Sequence, residues 1–179
     1  GRLAPYCLPL LRPSHFKSSV DIDDIQPGDL PLRLGRYELV SILGKGGFAQ
    51  VFEAELNGPA GFRKRVAVKI IKLNILARGE REHVDFFIRE ARLGGLLKHP
   101  NIVDVYELGE TDGQLYIAME LVQGQTLRGF LRDRQKAPRS VLLEIAAGIT
   151  AGLGSAHELR SEGMPAGLVH RDLKLSLIH

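Results

Sequence analysis

Four clusters in this chain carry groups that could do chemistry together. The first is Gly44-Lys45-Gly46-Gly47, with three glycines in four positions. Backbone without side chains can come close to a phosphate group. The second is Lys69, set in Ala67-Val68-Lys69-Ile70; if its sheet face is covered, the ammonium demands an anionic partner. The third is Glu90, four residues after Phe86, three after Phe87 and three before Leu93. It therefore sits on the apolar stripe of its helix, where a carboxylate is seldom found unpaired. The fourth is His170-Arg171-Asp172-Leu173-Lys174, following the apolar Gly167-Leu168-Val169. Asp172 could take a proton from a hydroxyl, and Lys174 could steady a transferring phosphoryl group. Taken singly, the glycines also suit a plain tight turn, Lys69 a solvated sheet face, and the last cluster a surface loop of mixed charge.

The elements that must position these groups follow from pattern. Tyr37 to Leu43 is β-prone and runs into the glycines, and Val51 to Leu56 alternates with Phe52, Ala54 and Leu56 on one face. The cluster thus lies between two strands. A Walker-type loop needs Gly-Lys followed by Ser or Thr and a helix, and a dinucleotide fingerprint also needs a helix next. Both fail here, and a glycine-rich hairpin is left. Asn57 to Gly61 is a turn. Val66 to Ile71 is a third strand, with Val66, Val68 and Ile70 on one face and Ala67, Lys69 and Ile71 on the other.

A helix is predicted from about Glu80 to Leu97, with Phe86, Phe87, Leu93 and Leu97 as its stripe and His99-Pro100-Asn101 as its close. Ile102 to Leu108 and Gln114 to Val122 are predicted strands joined at Glu110-Thr111-Asp112-Gly113. The sum is an α+β fold with a five-stranded antiparallel sheet and one helix. A short helix over Thr126 to Arg134 and a long one over Ser140 to Leu159 follow. The long helix stacks Val141, Ile145, Ile149 and Leu153 at four-residue spacing and is apolar nearly all round, so it wants cover on several sides. It also holds Glu144, His157 and several glycines, which suits a buried helix better than a membrane span. No membrane segment is expected in this chain. Residues 1–35, with prolines at Pro5, Pro9, Pro13, Pro27 and Pro31 and acids at Asp21, Asp23 and Asp24, are expected to be a flexible leader or linker.

Composition sets the remaining bounds. The chain has 179 residues, 44% of them hydrophobic and 25% charged, as in an ordinary globular protein. A formal charge of +3 spread along the chain points to a solvated surface, not to nucleic acid. Cys7 is the single cysteine, which excludes a disulfide framework within one chain and suits a reducing cytoplasm. The histidines show no zinc spacing.

In that order, the glycine hairpin, strand lysine, helix glutamate and His-Arg-Asp loop resemble the signature set of protein kinases, of the bacterial Ser/Thr type. The resemblance runs from about Tyr37 to Lys174. It implies an N-terminal lobe over residues 36–122, then a hinge exit, the first helices of a helical C-terminal lobe and the start of its catalytic loop over 123–179. It also implies ATP as nucleotide, Mg²⁺, and a protein substrate offering a Ser or Thr hydroxyl. Leu43, Gly44, Lys45, Gly46, Gly47, Phe48, Ala49, Gln50 and Val51 would be the loop over the ATP phosphates, with Ala49 where the family often has a third glycine. Lys69 would hold the α- and β-phosphates and Glu90 would orient it. Leu43, Val51 and Ala67 would sandwich the adenine, Met119 would be the gatekeeper, and the backbones of Glu120 and Val122 would meet the adenine edge. Asp172 would be the base, and Lys174 resembles the Ser/Thr class more than the Tyr class.

One position departs from the pattern. The family has asparagine five residues after the aspartate, and here that residue is Leu177, which cannot bind magnesium. The Asp-Phe-Gly segment, with the other metal ligand, would lie beyond His179. Without both ligands the chain alone is expected to be inactive, with turnover restored in an intact parent. The change after Lys174 resembles a reading-frame shift or premature stop in a kinase gene. The alternatives are a non-catalytic nucleotide-binding or scaffold module and a gene remnant.

Overall fold

The computed structural model describes residues 22, 25–72, 81–133 and 138–159. Among them, six strands form one antiparallel sheet, one more than the sequence pattern gives. They are β1 (Leu32–Leu34), β2 (Tyr37–Lys45), β3 (Ala49–Asn57), β4 (Arg63–Ile71), β5 (Val105–Thr111) and β6 (Gln114–Glu120), in the order β1-β2-β3-β4-β6-β5. The helices are α1 (Arg81–Leu96), α2 (Leu127–Asp133) and α3 (Arg139–Glu158).

The added strand lies inside the expected linker. Leu32 pairs with Leu39 and Leu34 with Tyr37, across a turn in which Gly35 takes a left-handed φ of 56°. Pro31 and the short run of three residues hide it from a pattern search. The β5–β6 turn is as expected: Asp112 and Gly113 both have positive φ, 52° and 77°, the two-residue geometry that follows strand twist.

From Val66 onward β4 is covered on both sides, and its alternation assigns the sides as the sequence predicts. Val66, Val68 and Ile70 join an outer cluster with Leu39, Phe52, Ala54 and Tyr116. Ile71 joins an inner cluster with Ala49, Ile117 and the α1 residues Phe87 and Ala91. Helix α1 departs from its predicted stripe. Phe87, Ala91 and Leu93 are buried, with Leu97 just past the end, but Phe86 is 58% exposed. The face toward the sheet runs through Phe87, Ala91 and Gly94; a Cβ on Gly94 would lie 2.5 Å from Val105 Cγ2. Phe86 is about 100° round the helix from Phe87 and falls off that face.

Helix α3 is long and apolar enough to cross a membrane by length and composition alone. Within it Gly152 and Ala156 are buried, and Val141, Ile145, Ile149 and Leu153 are half-buried.

A carboxylate ties β2 to the far edge of the sheet. Glu107 Oε1 accepts hydrogen bonds from the Tyr37 and Tyr116 hydroxyls, each at 2.9 Å, and Oε2 pairs with Arg36. A Cβ at Gly109 would strike the Tyr116 ring at 2.4 Å, so glycine makes room for this network. Burial, with the Glu107 hydrogen bond, pushes the Tyr37 hydroxyl up to about 12. The unfolded chain ionises it near 10.0. Stability from this group is therefore complete below about pH 10 and lost as pH rises toward 12. Tyr37→Phe keeps the ring and removes the hydroxyl that donates to Glu107 and accepts from Arg36. It should cost about 1 kcal/mol in urea unfolding at pH 8, and it should flatten the alkaline fall in stability; an unchanged fall would rule out this account.

Candidate functional site

Lys69 stands in mid-β4, in register with Val51 on β3 and Ile117 on β6, on the sheet face that carries α1. Its ammonium donates to both oxygens of Glu90, at 2.8 Å and 2.6 Å. The Lys69 side chain is 17% exposed and that of Glu90 43%. The pair thus lies at the margin of the buried layer. Phe48 and Phe87 flank the ammonium, with ring centroids at 5.7 Å and 5.8 Å. Aromatic faces at that range attract a cation weakly and exclude water from one side.

The glycine hairpin closes through Gly46, whose amide donates to the Ala49 carbonyl at 2.9 Å. A Cβ on Gly46 would itself meet that carbonyl at 2.9 Å, so a tight turn alone explains this glycine. Gly44 and Gly47 differ: a Cβ at either would meet nothing within 4 Å. Packing within the chain does not demand glycine at those two positions, which leaves open space beside bare backbone.

Phe48, at the hairpin tip, turns inward to α1. Its ring lies 5.7 Å from His83 and 6.2 Å, edge to face, from Phe86. The Phe48 carbonyl accepts from the Lys72 amide at 3.0 Å, just past β4. Sequence reasoning missed this contact; the second aromatic beside Phe87 was its visible signal. Lys45 and Gln50 are cross-strand partners, and alternation puts them on the face opposite Val51 and Lys69. Lys45 donates to the Ile25 carbonyl at 3.3 Å, and Gln50 is fully buried. These two predicted loop residues therefore direct their side chains away from Lys69.

Ala67 is in register with Met119, and both belong to the Lys69 face; Ala67 is buried and Met119 half-buried. Val51 is half-buried there too, while Leu43 at the β2 irregularity is 49% exposed. The Glu120 amide is committed to the Asp104 carbonyl at 2.8 Å, and Val122 is 37% exposed just beyond β6. The structure thus brings Lys69, Glu90, Phe48, Val51, Ala67 and Met119 to one side of the sheet. Asp172, Lys174 and Leu177 lie outside the described residues.

Residues 37–178 match the family model described as the protein kinase domain. The chain is 39% identical over 150 residues to the tyrosine-protein kinase MasK of Myxococcus xanthus, covering 81% of this chain and 23% of MasK. It is 34% identical over 140 residues to the serine/threonine-protein kinase PrkC of Bacillus subtilis, covering 78% of this chain and 20% of PrkC. It therefore spans about a fifth to a quarter of these curated relatives. The crystal structure of the Mycobacterium tuberculosis PknI kinase domain is similar at a TM-score of 0.60 and 30% identity, over 82% of this chain and 55% of that one.

A double-mutant cycle on Lys69→Met and Glu90→Gln should give a coupling of roughly 1 kcal/mol in unfolding free energy, shrinking in 1 M salt. Zero coupling at low salt would mean that the ion pair does not form in solution.

Proposed function

The chain belongs to the protein kinase family, and on that premise we propose that its Lys69 face binds ATP and that, in an intact parent, the γ-phosphoryl group passes to a Ser or Thr hydroxyl of a protein. The observation that carries this is the Lys69–Glu90 ion pair on the same face as the open glycine backbone. A lysine fixed by a carboxylate presents its remaining charge in one direction, as a phosphate-holding group must. Open Cβ positions at Gly44 and Gly47 suit close approach of phosphate oxygens to amides. Ala67, small and paired in register with Met119, leaves room on this face for a flat base. ATP, when bound, supplies the γ-phosphoryl group, and ADP is the leaving group.

The chain's own residues then divide the remaining tasks. Lys69 steadies charge on the phosphates, Glu90 holds Lys69, and Phe48 with Phe87 keeps water from one side of the ammonium. Asp172 accepts the proton of the incoming hydroxyl, and Lys174 balances charge beside it. The lobe boundary near residue 122, the cytoplasmic setting and the choice of Ser/Thr over Tyr belong to this proposal. The choice of hydroxyl is open to direct test, since one relative is named a tyrosine kinase and another a serine/threonine kinase.

The one expected Mg²⁺ ligand position that the sequence contains does not fit the ion. Leu177 stands where the family's asparagine ligand is expected, and a hydrocarbon side chain offers a hard cation no oxygen. This favours a second reading, an ATP-binding module that does not turn over. A titration with a fluorescent ATP analogue and a radiolabelled transfer assay separate the two. In a parent carrying the whole catalytic lobe, Lys69→Met should abolish transfer, and Asp172→Asn should slow it by about 10²–10⁴-fold with binding retained. Normal turnover in the Lys69 variant would refute its role. Binding without transfer in the unaltered parent would establish the module.

A further inference from the structure

The sheet face away from Lys69 is not bare. Ile22 and Ile25, 3% and 2% exposed, lie in the same buried cluster as Leu39, Phe52, Val68 and Ile70, and Leu30 and Leu32 pack against it. Ile22 and residues 25–34 thus form a strap on the outer face, held by aliphatic side chains. Its contact with the hairpin is specific: the Lys45 ammonium donates to the Ile25 carbonyl at 3.3 Å. Lys45 and its cross-strand partner Gln50 flank the turn that Gly46 and Ala49 close. The Gln50 amide, on the strap's face, is fully buried, and neither its nitrogen nor its oxygen has a hydrogen-bond partner among the described residues.

We propose that the strap is a positioning element for the glycine hairpin, and that Lys45 is its positioning residue. By donating to the strap backbone, Lys45 fixes the outer side of the hairpin, while Phe48 fixes the inner side against α1. The hairpin is thereby held at a set height above Lys69. Lys45 acts on the strap and not on phosphate. The functional consequence rests on the reading of the Lys69 face as an ATP site.

The test is hydrogen exchange of the amides of residues 46–51 in the full chain, with affinity for a fluorescent ATP analogue as a second readout. Lys45→Met, which removes the donor, should speed exchange by about threefold to tenfold, the range expected for one lost hydrogen bond. Exchange in β4 and α1 should stay unchanged. Lys45→Arg should restore the loop to its original rate. The strap-releasing pair Ile22→Asp with Ile25→Asp should match Lys45→Met at the loop, and the triple variant should add little to it. ATP-analogue affinity should fall by a similar factor in Lys45→Met and recover in Lys45→Arg. Loop exchange unchanged in Lys45→Met would overturn the proposal, and that single variant decides if the aspartate pair does not fold. Absence of ATP-analogue binding in the unaltered chain would sink the nucleotide reading instead, and exchange would still decide the role of Lys45.

Discussion

A cation in the middle of a strand covered on both sides is the constraint from which the rest of this molecule follows. Ile71 and Ile117, which share the face of Lys69, are 0% and 1% exposed, and Phe87 beside them is fully buried. An unpaired ammonium among such residues would be very unfavourable. Glu90 meets the demand, and meeting it fixes the helix. For the carboxylate to reach Lys69 Nζ, α1 must lie on the inner face with Phe87 and Ala91 down, and the inner cluster is built from those contacts. Packing and ion pair are therefore one solution. Glu90 retains partial exposure, so the pair is neither fully desolvated nor out of reach of a ligand.

The hairpin above this pair faces the opposite problem. Bare backbone suits close contact with an anion, but glycine carries the largest conformational entropy of any residue. The structure offsets this from both sides of the sheet. Phe48 anchors the tip to α1, the helix that carries Glu90, and Lys45 anchors the flank to the strap. Gly46 is held by its own turn, whereas Gly44 and Gly47 border open space. Rigidity is thus supplied by neighbours of the glycines, which leaves the glycine backbone itself uncovered.

How much of this was legible in the sequence depended on whether a residue's neighbours in space were also its neighbours in pattern. Strands β2 to β6 were legible because alternation persists for many residues, and the Asp112-Gly113 turn because its chemistry is local. Lys69 and Glu90 were legible as two charges, each set in apolar surroundings. β1 and the strap were not: Ile22, Ile25 and Leu34 are separated by Pro27, Pro31 and acids, and only the sheet brings them together. Phe86 and Phe87 were indistinguishable by spacing, since either begins a plausible stripe; contact with Val105 through Gly94 decides between them. The outward turn of Lys45 and Gln50 was readable in principle from alternation, but the glycines drew the whole segment into one motif.

The long helix shows the same limit. Its aliphatic residues suggested a buried stripe, yet its close contact is made by small ones. A Cβ at Gly152 would lie 3.3 Å from the Asn101 carbonyl, and one at Gly148 would lie 3.5 Å from the Asn101 side chain. Leu142 and Leu143 remain 37% and 64% exposed. α3 therefore docks through its glycines on the turn that follows α1. That turn is itself closed by bonds from Asn101 and Ile102 back to His99. Leu97, just past the end of α1, is buried, and its amide donates to the Leu93 carbonyl at 3.2 Å. The place of α3 is thus set by the same helix that delivers Glu90.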